Sequence, residues 1–240
     1  MNLLRDKVAI VTGGGTGIGR GIALAVSHEG AHVVVCGRRM DRLQETARLI
    51  DKDGGEALVL QADVSIEGDV KSLVETVYSK HRRIDILINN AGVFAEAELH
   101  VLDPGTWDWI MGTNLRGAFL MMRYVLPIMR AQRNGHIINI SSESGLEYYQ
   151  GDTAYGVSKH ALNALGEYAQ RENQPLNIRV NAICPGMVVS EMTENSPALD
   201  HNKCLYPEDI ADLVIWLLTR RPNIKIGTPI LIQTMQNPWE

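Results

Sequence analysis

Cysteine and positive charge are both in short supply in this sequence. Its 240 residues include three cysteines, Cys36, Cys184 and Cys204, which lie far apart and form no CxxC pair. An odd number at such spacing excludes a disulfide framework and a zinc site, so we predict no metal centre. The net charge of −5 likewise disfavours a nucleic-acid partner, because such proteins usually present a basic face.

Long apolar runs are missing as well. No stretch approaches the roughly 20 residues needed to cross a bilayer, so we expect no membrane segment. The start of the chain carries charge and has no apolar core of the kind that a secretory signal requires. With so few cysteines, these features predict a cytoplasmic protein. Hydrophobic residues make up 45% and charged residues 21%, a balance typical of a folded globular chain.

Two hydrophobic periods alternate along the chain. Runs such as Val33–Val35 and Ile86–Ile88 are apolar on both faces, as parallel strands covered on both sides require. The alternation predicts an α/β fold, a Rossmann-type doubly wound parallel sheet with helices on both faces, in a single domain spanning 1–240. We predict strands at Val8–Val11, His32–Val35, Ala57–Leu60, Ile84–Ile88, His136–Ile140, Ile178–Ile183 and near Pro229–Gln233, and helices at Ile18–Glu29, Val70–Lys80, Trp107–Met129 and Ala154–Gln170.

A glycine-rich segment follows the first predicted strand and precedes the first helix. Glycines permit positive φ angles and let backbone amides approach a pyrophosphate at a helix N-terminus. A tight glycine turn without any ligand has the same composition, but the position after the first strand of an alternating chain favours nucleotide binding. The residues expected to bind the cofactor here are Gly13, Gly15, Thr16, Gly17, Ile18 and Gly19.

The second predicted strand ends in Cys36-Gly37-Arg38-Arg39 and lacks the acidic residue that would bind the adenosine ribose of NAD. A carboxylate would repel a 2′-phosphate, whereas the planar guanidinium of Arg38 or Arg39 matches phosphate oxygens. The alternative is a pair of solvated arginines that open a helix. The electrostatic argument favours NADP(H) over NAD as the cofactor.

The ends of the third and fourth predicted strands also carry polar or small residues. Asp63-Val64 follows the third strand, where the carboxylate could accept a hydrogen bond from the adenine amino group or simply cap a turn. Asn89-Asn90-Ala91-Gly92 closes the fourth strand. Small residues there let the backbone pass close to a cofactor, while asparagine side chains tie neighbouring strand ends together. We therefore expect Asp63, Val64, Asn90, Ala91 and Gly92 to contact the cofactor.

Tyr155 and Lys159 are four residues apart in a predicted helix and so share one face. A tyrosine hydroxyl has a reference pKa of about 10, and we expect the nearby ammonium to lower it towards the working range. Many surface helices contain such a pair without any catalytic role. Here Ser141-Ser142 ends the fifth strand, which should converge with the start of this helix, so that a serine hydroxyl can orient both the tyrosine and a substrate carbonyl.

The glycine spacing Gly-x-x-x-Gly-x-Gly at Gly13, Gly17 and Gly19, together with the asparagine segment and the Ser–Tyr–Lys set, resembles the short form of the short-chain dehydrogenase/reductase family. The resemblance runs from Lys7 to about Leu218, with the motifs in family order. After Ile226 the chain departs from the Asp-Gly-Gly-type ending of many relatives, which leaves its branch of the family open.

The resemblance implies roles that the residues alone do not fix. It selects Ser142 over Ser141 as the catalytic serine, and it makes Asn114 the residue that opens its helix slightly and holds a water relaying protons to Lys159. It also places the turn at Pro185 and Gly186 against the nicotinamide, with a backbone amide near Val188 and the hydroxyl of Ser190 on the carboxamide. The full catalytic set is then Ser142, Tyr155, Lys159 and Asn114.

The function implied is that of an NADP(H)-dependent oxidoreductase acting on CH–OH groups. It would transfer a hydride between nicotinamide and a small-molecule carbonyl or secondary alcohol, as a ketone or 3-oxoacyl-type reductase, and work as a homodimer or homotetramer. We expect the substrate to be selected by Phe94, residues 143–150 and a short loop at 187–206. The alternative is a non-catalytic NADP-binding regulator or sensor, although such a protein would be expected to lose a member of the Ser–Tyr–Lys set.

Overall fold

Seven strands form one parallel sheet in the computed structural model, which describes residues 2–239 except 195 and 197. The strand order is β3-β2-β1-β4-β5-β6-β7, and every neighbouring pair is parallel. The predicted doubly wound parallel sheet is confirmed. The strands are β1 Val8–Thr12, β2 His32–Gly37, β3 Ala57–Gln61, β4 Ile86–Asn89, β5 Gly135–Ile140, β6 Ile178–Pro185 and β7 Ile230–Ile232.

Helices cover both faces of the sheet because the central strands are apolar on both sides. In β1, Ala9 and Val11 belong to one buried cluster, whereas Val8 and Ile10 belong to the other. The first cluster includes residues of α1, α2 and α7, and the second includes residues of α3, α5 and α6. The helices are α1 Gly17–His28, α2 Met40–Lys52, α3 Glu67–His81, α4 Pro104–Met111, α5 Ala118–Gln132, α6 Thr153–Asn173 and α7 Pro207–Leu218.

Several element boundaries differ from the sequence expectation. The fourth strand begins at Ile86 and not at Ile84, because the amide of Ile84 donates to the side chain of Gln132 (3.0 Å) and not to a neighbouring strand. The sixth strand continues beyond Ile183 to Pro185, where it pairs with β7. The predicted helix Trp107–Met129 is α4, a π-helical segment Gly112–Gly117 and α5 in direct succession.

The strand order reverses between β1 and β4, which is where open sheets of this kind bind their ligands. Thr12, the last residue of β1, ties the two strand ends together at this point. Its hydroxyl donates to the carbonyl oxygen of Ile88 (3.2 Å) and accepts from the amides of Asn90 and Ala91 (both 3.0 Å). The glycine-rich segment and the asparagine segment are therefore held side by side at the carboxyl edge of the sheet.

Candidate active site

An open cleft runs along the carboxyl edge of the sheet at this reversal point. Its walls come from the ends of β1, β2, β3, β4 and β5 and from the start of α6. The predicted site residues that line it are Gly13, Gly15, Thr16, Gly17, Ile18, Gly19, Arg38, Arg39, Asp63, Val64, Asn90, Ala91, Gly92, Tyr155, Lys159 and Ser190. The cleft lining does not include the remaining predicted residues, Ser142, Asn114, Pro185, Gly186 and Val188, and it contains Ser141 in place of its neighbour Ser142.

The glycine loop has the geometry of a cradle for an anionic group. Gly13 and Gly17 have φ angles of 63° and 51°, in the left-handed region that favours glycine. A Cβ at Gly19 would overlap the carbonyl oxygen of Gly13 and the side chain of Asn90. The N-cap residue of α1, Thr16, makes no side-chain cap, and the first turn has no acidic residue. The amides at this helix start are thus available to a pyrophosphate, and the cradle fits a dinucleotide.

Three arginines line the end of the cleft next to β2. Arg38 and Arg39 were predicted, and Arg42, one turn into α2, joins them. No acidic residue ends β2, although the carboxylate of Glu191, from the loop after β6, pairs with Arg39 there. Arg42 was not predicted, although its i, i+3 spacing from Arg39 places both residues on one side of the helix start. This cationic set fits the phosphorylated ribose of NADP.

Asp63 and Asn90 both make hydrogen bonds that fix the backbone around the cleft. The Asp63 carboxylate accepts from the amide (2.9 Å) and the hydroxyl (2.7 Å) of Ser65, which is the turn role left open by the sequence, while the residue still lines the cleft. The Asn90 side chain donates to the carbonyl oxygens of Thr12 (2.9 Å) and Gly13 (3.3 Å). The expected link between neighbouring strand ends is therefore present, and it fixes the glycine loop against β4.

Ser142 and Tyr155 meet at the other end of the cleft. Ser142 follows β5, and its hydroxyl accepts from the amide of Ser144 (3.1 Å) and interacts with the hydroxyl of Tyr155. Ser141 is buried and donates instead to the backbone carbonyl of Lys159 (3.3 Å). The two adjacent serines thus have different partners: Ser142 interacts with Tyr155, whereas Ser141 lines the cleft and binds the backbone of α6.

The electrostatics of the tyrosine differ from the sequence expectation. Burial raises the pKa of Tyr155 to about 12, although the interaction with Ser142 opposes the rise. Burial also lowers the pKa of Lys159 to about 8. The ammonium of Lys159 donates to the carbonyl oxygen of Ile140 (2.9 Å) and lies 5.4 Å from the centre of the Tyr155 ring. The expected lowering of the Tyr155 pKa by Lys159 is therefore wrong, because burial is the largest influence on this pKa and Lys159 is not among the groups that shift it.

Asn114 lies in the π-helical segment between α4 and α5, so the helix is locally opened as the family resemblance implies. Its side chain is buried, accepts from the amide of Val93 (2.8 Å) and donates to the Val93 carbonyl (3.0 Å) and the Ser158 hydroxyl (3.1 Å). Both polar atoms of the amide therefore have protein partners.

The turn after β6 supports the cleft from behind. Pro185 pairs with Ile232 of β7, and the amide of Gly186 donates to the Ile232 carbonyl (2.8 Å). Val188 is buried, whereas Ser190 reaches the cleft and faces Gly17, where an added Cβ would lie 3.4 Å from the Cβ of Ser190. The turn thus brings Ser190, Glu191 and Met192 to the cleft that holds the glycine loop.

Two further features bear on the possible chemistry. Within residues 2–239 without 195 and 197, no group of three or more His, Cys, Asp or Glu side chains is arranged to hold a metal ion. Over the same part of the chain, no helix combines the length and apolar character needed to span a membrane. The side chains next to the glycine loop that bear on chemistry are Tyr155 and Lys159, which line the cleft, and Ser142, which interacts with Tyr155.

Comparison with known proteins identifies the family. A model described as short chain dehydrogenase matches residues 7–200. An uncharacterized oxidoreductase of Staphylococcus aureus (strain MRSA252) is 34% identical over 227 residues, 95% of this chain and 97% of the relative. A metagenomic short-chain oxidoreductase, solved in complex with NADP, is 34% identical with a TM-score of 0.86 and covers 98% of this chain and 100% of its own. A variant actinorhodin polyketide ketoreductase, solved with NADPH, is 29% identical with a TM-score of 0.84 over 88% and 90%.

The chain belongs to the short-chain dehydrogenase/reductase family, as the motifs predicted, and is an oxidoreductase of that family. The cleft and the cofactor-bound relative both support binding of a nicotinamide cofactor. The sequence motifs, the sheet and the comparisons agree on this assignment.

Proposed function

We propose that this protein transfers a hydride between NADP(H) and the carbonyl or secondary alcohol of a small molecule, as a ketone or 3-oxoacyl-type reductase. The observation that carries the proposal is that Tyr155 and Lys159 line one end of the glycine-lined cleft, with Ser142 interacting with Tyr155, while arginines line its other end. The retention of all three side chains favours an enzyme over a non-catalytic NADP-binding regulator.

Each residue has one task in the proposed reaction. The nicotinamide, when bound, supplies the hydride. Tyr155 donates a proton to the carbonyl oxygen, since its raised pKa keeps the phenol protonated at neutral pH. Ser142 holds that oxygen as negative charge develops. Lys159 binds the nicotinamide ribose. Because its pKa is lowered to about 8, its amino group is mostly charged only when the pH is below that value. Asn114 keeps the end of β4 and Ser158 in place beside Lys159.

Other residues would hold the cofactor. The amides of the glycine loop and the start of α1 are suited to the pyrophosphate, and Arg38, Arg39 and Arg42 to the 2′-phosphate. Asp63 and Val64 stand at the adenine side, and Asn90, Ala91 and Gly92 line the middle of the cleft. The nicotinamide carboxamide is assigned to the backbone near Val188 and the hydroxyl of Ser190, next to Pro185 and Gly186.

The proposal is tested by offering the protein NADPH and a panel of ketones, aldehydes and β-keto esters. Oxidation of NADPH is monitored as a loss of its near-ultraviolet absorbance. We expect turnover of at least one carbonyl class, and higher kcat/KM with NADPH than with NADH. NADPH binding without turnover of any member of the panel would favour the regulatory alternative.

The pH profile offers a further prediction. The carboxylates of Asp152 and Glu143 contribute to the raised pKa of Tyr155, after burial. Reduction needs the protonated phenol, so its rate falls as pH rises through this pKa. Removing the charge with Glu143→Gln makes the phenolate less unfavourable and lowers that pKa. Lys159 loses its charge first, near pH 8, so the shift is measured on the phenol itself: the ultraviolet titration of Tyr155, taken as the difference from a Tyr155→Phe background, should move to lower pH in Glu143→Gln.

The matched control for this prediction is Glu147→Gln. The carboxylate of Glu147 raises the pKa of Glu143 and Tyr149, but it is not among the groups that shift Tyr155. The control should keep the wild-type profile. Equal profiles for all three proteins would contradict the electrostatic coupling between Glu143 and Tyr155.

We also propose that the chain assembles as a homodimer or homotetramer. Large apolar side chains are exposed on α5 and α6, at Phe119 and Tyr168, and on α7 and β7, at Trp216 and Leu231. Exposed apolar surfaces of this kind are typical of protein interfaces. Light scattering should therefore give a mass of two or four chains, and a monomer mass at micromolar concentration would contradict the proposal.

The domain organisation and the compartment complete the proposal. We assign residues 1–240 to one catalytic domain, with 187–206 as its substrate loop. The cytoplasm is the proposed compartment, since the three cysteines are all buried as free thiols, the state that a reducing environment maintains.

A further inference from the structure

A carboxylate from the substrate loop reaches into the arginine-lined end of the cleft. One oxygen of Glu191 lies 2.6 Å from a guanidinium nitrogen of Arg39, and the other lies 3.7 Å from Arg42. The hydroxyl of Thr16 interacts with the same carboxylate and lies 3.3 Å from Arg39. Glu191, Thr16, Arg39 and Arg42 all line the cleft that contains the glycine loop.

The surroundings of Glu191 match the needs of a phosphate monoester. Two guanidiniums and a hydroxyl converge on one anionic group, and arginine binds carboxylate and phosphate in the same planar manner. The hydrogen bond from Arg39 lowers the pKa of Glu191, so the carboxylate is ionised at neutral pH. Arg42 also contacts Glu45 (3.5 Å), whereas the ion pair of Arg39 in the described part of the chain is with Glu191.

We propose that Glu191 limits the preference for NADPH over NADH as an internal competitor: its carboxylate holds Arg39 and Arg42 until the 2′-phosphate of NADPH displaces it. NADH has no phosphate at this position and leaves the ion pair intact. The inference rests on the proposed use of NADP(H), and it adds a residue that lies about 150 positions from the arginines in the chain.

Displacement of the Glu191 carboxylate would change the order of the loop that carries it as well as release the arginines. Glu191 directly follows Ser190, which faces the glycine cradle at Gly17. The ion pair therefore anchors the loop to the start of α2, and its loss frees the segment 190–194. Within that segment the amides of Thr193 and Glu194 donate to the carbonyl of Ser190 (3.0 and 2.9 Å), so their exchange with solvent reports on its order.

The competition is weak enough to be overcome. The side chains of Arg39 and Glu191 are 55% and 38% exposed, and ion pairs this exposed shift an equilibrium by a factor of at most about 5. Glu191→Gln removes the competitor and should strengthen binding of NADPH and of adenosine 2′,5′-bisphosphate by about 2- to 5-fold. Binding of NADH and of 5′-AMP should not change.

The experiment is calorimetric titration of the wild type, Glu191→Gln and Glu194→Gln with these four ligands. Glu194 is an exposed carboxylate on the same loop that makes no ion pair with the described residues, so its variant should match the wild type. Hydrogen exchange supplies a readout independent of catalysis. In the wild type, amide exchange in 190–194 should become faster when adenosine 2′,5′-bisphosphate is added but not when 5′-AMP is added. In Glu191→Gln it should be faster already without ligand.

The outcomes separate this inference from the proposed function. Wild-type protein that prefers NADH to NADPH would contradict the NADP(H) assignment itself. A preference for NADPH that is unchanged in Glu191→Gln, with no change in exchange, would overturn only the role of Glu191. Weaker binding of NADH in Glu191→Gln would also overturn the role of Glu191 as a competitor, because this result would show that the carboxylate binds the adenosine ribose.

Discussion

Tyr155→Phe is expected to lower kcat for carbonyl reduction by about 10²- to 10⁴-fold, the usual contribution of a positioned general acid. The substitution removes one hydroxyl and keeps the ring, which packs edge-on against Phe94 with ring centres 5.2 Å apart. The cleft should therefore keep its shape and its affinity for NADPH. Steady-state kinetics together with a fluorescence titration of NADPH would separate the loss of chemistry from a loss of binding.

The control for this variant is Tyr168→Phe. Tyr168 lies on the same helix, α6, but its side chain is largely exposed and does not line the cleft. Its loss should leave kcat and KM unchanged. Turnover by Tyr155→Phe at the wild-type rate would remove Tyr155 from the proposed mechanism, and a parallel loss of NADPH affinity would indicate that the hydroxyl acts in binding.

The fold could be predicted from sequence because the central strands are apolar on both faces, a pattern that few other architectures permit. Strand ends were less accurate. Ile84 belongs by composition to the fourth strand, but its amide pairs with the Gln132 side chain, a contact that no local pattern reveals. Helices α2 and α7 were not assigned, although Leu43, Thr46 and Ile50 of α2 follow helical spacing and are buried.

The candidate site was predictable wherever it depends on strand ends. Parallel strands deliver their carboxyl ends to one edge, so the glycine loop and the asparagine segment had to meet there. Glu191 was missed because the loop that carries it comes from another part of the chain. The raised pKa of Tyr155 was missed for a different reason: burial depends on everything packed around the phenol, and spacing along a helix reveals only the lysine.

The second large effect is expected from Arg38→Ala combined with Arg39→Ala. A hydrogen bond between charged groups contributes about 1.5 to 3 kcal/mol, and each 1.4 kcal/mol is about a tenfold change in affinity. We expect NADPH to bind about 100-fold more weakly to the double variant, while NADH affinity changes little. Arg42 remains and keeps part of the attraction. Titration of both cofactors measures the change in each affinity. The control is Arg48→Ala, which removes an exposed arginine of α2, the helix that follows Arg39.

Equal losses of NADPH and NADH affinity would contradict the phosphate-binding role of these arginines. Arg39→Lys sharpens the test, because a lysine keeps the charge but cannot bind two oxygens in one plane, and it should fall between the wild type and Arg39→Ala. Arg39→Ala also removes the main ionic partner of Glu191. In that background Glu191→Gln should strengthen NADPH binding by less than it does in the wild-type background, since the competitor and the phosphate share the Arg39 guanidinium while Arg42 remains. An undiminished effect would mean that Glu191 acts on the cofactor through Arg42 or through the loop, and not through Arg39.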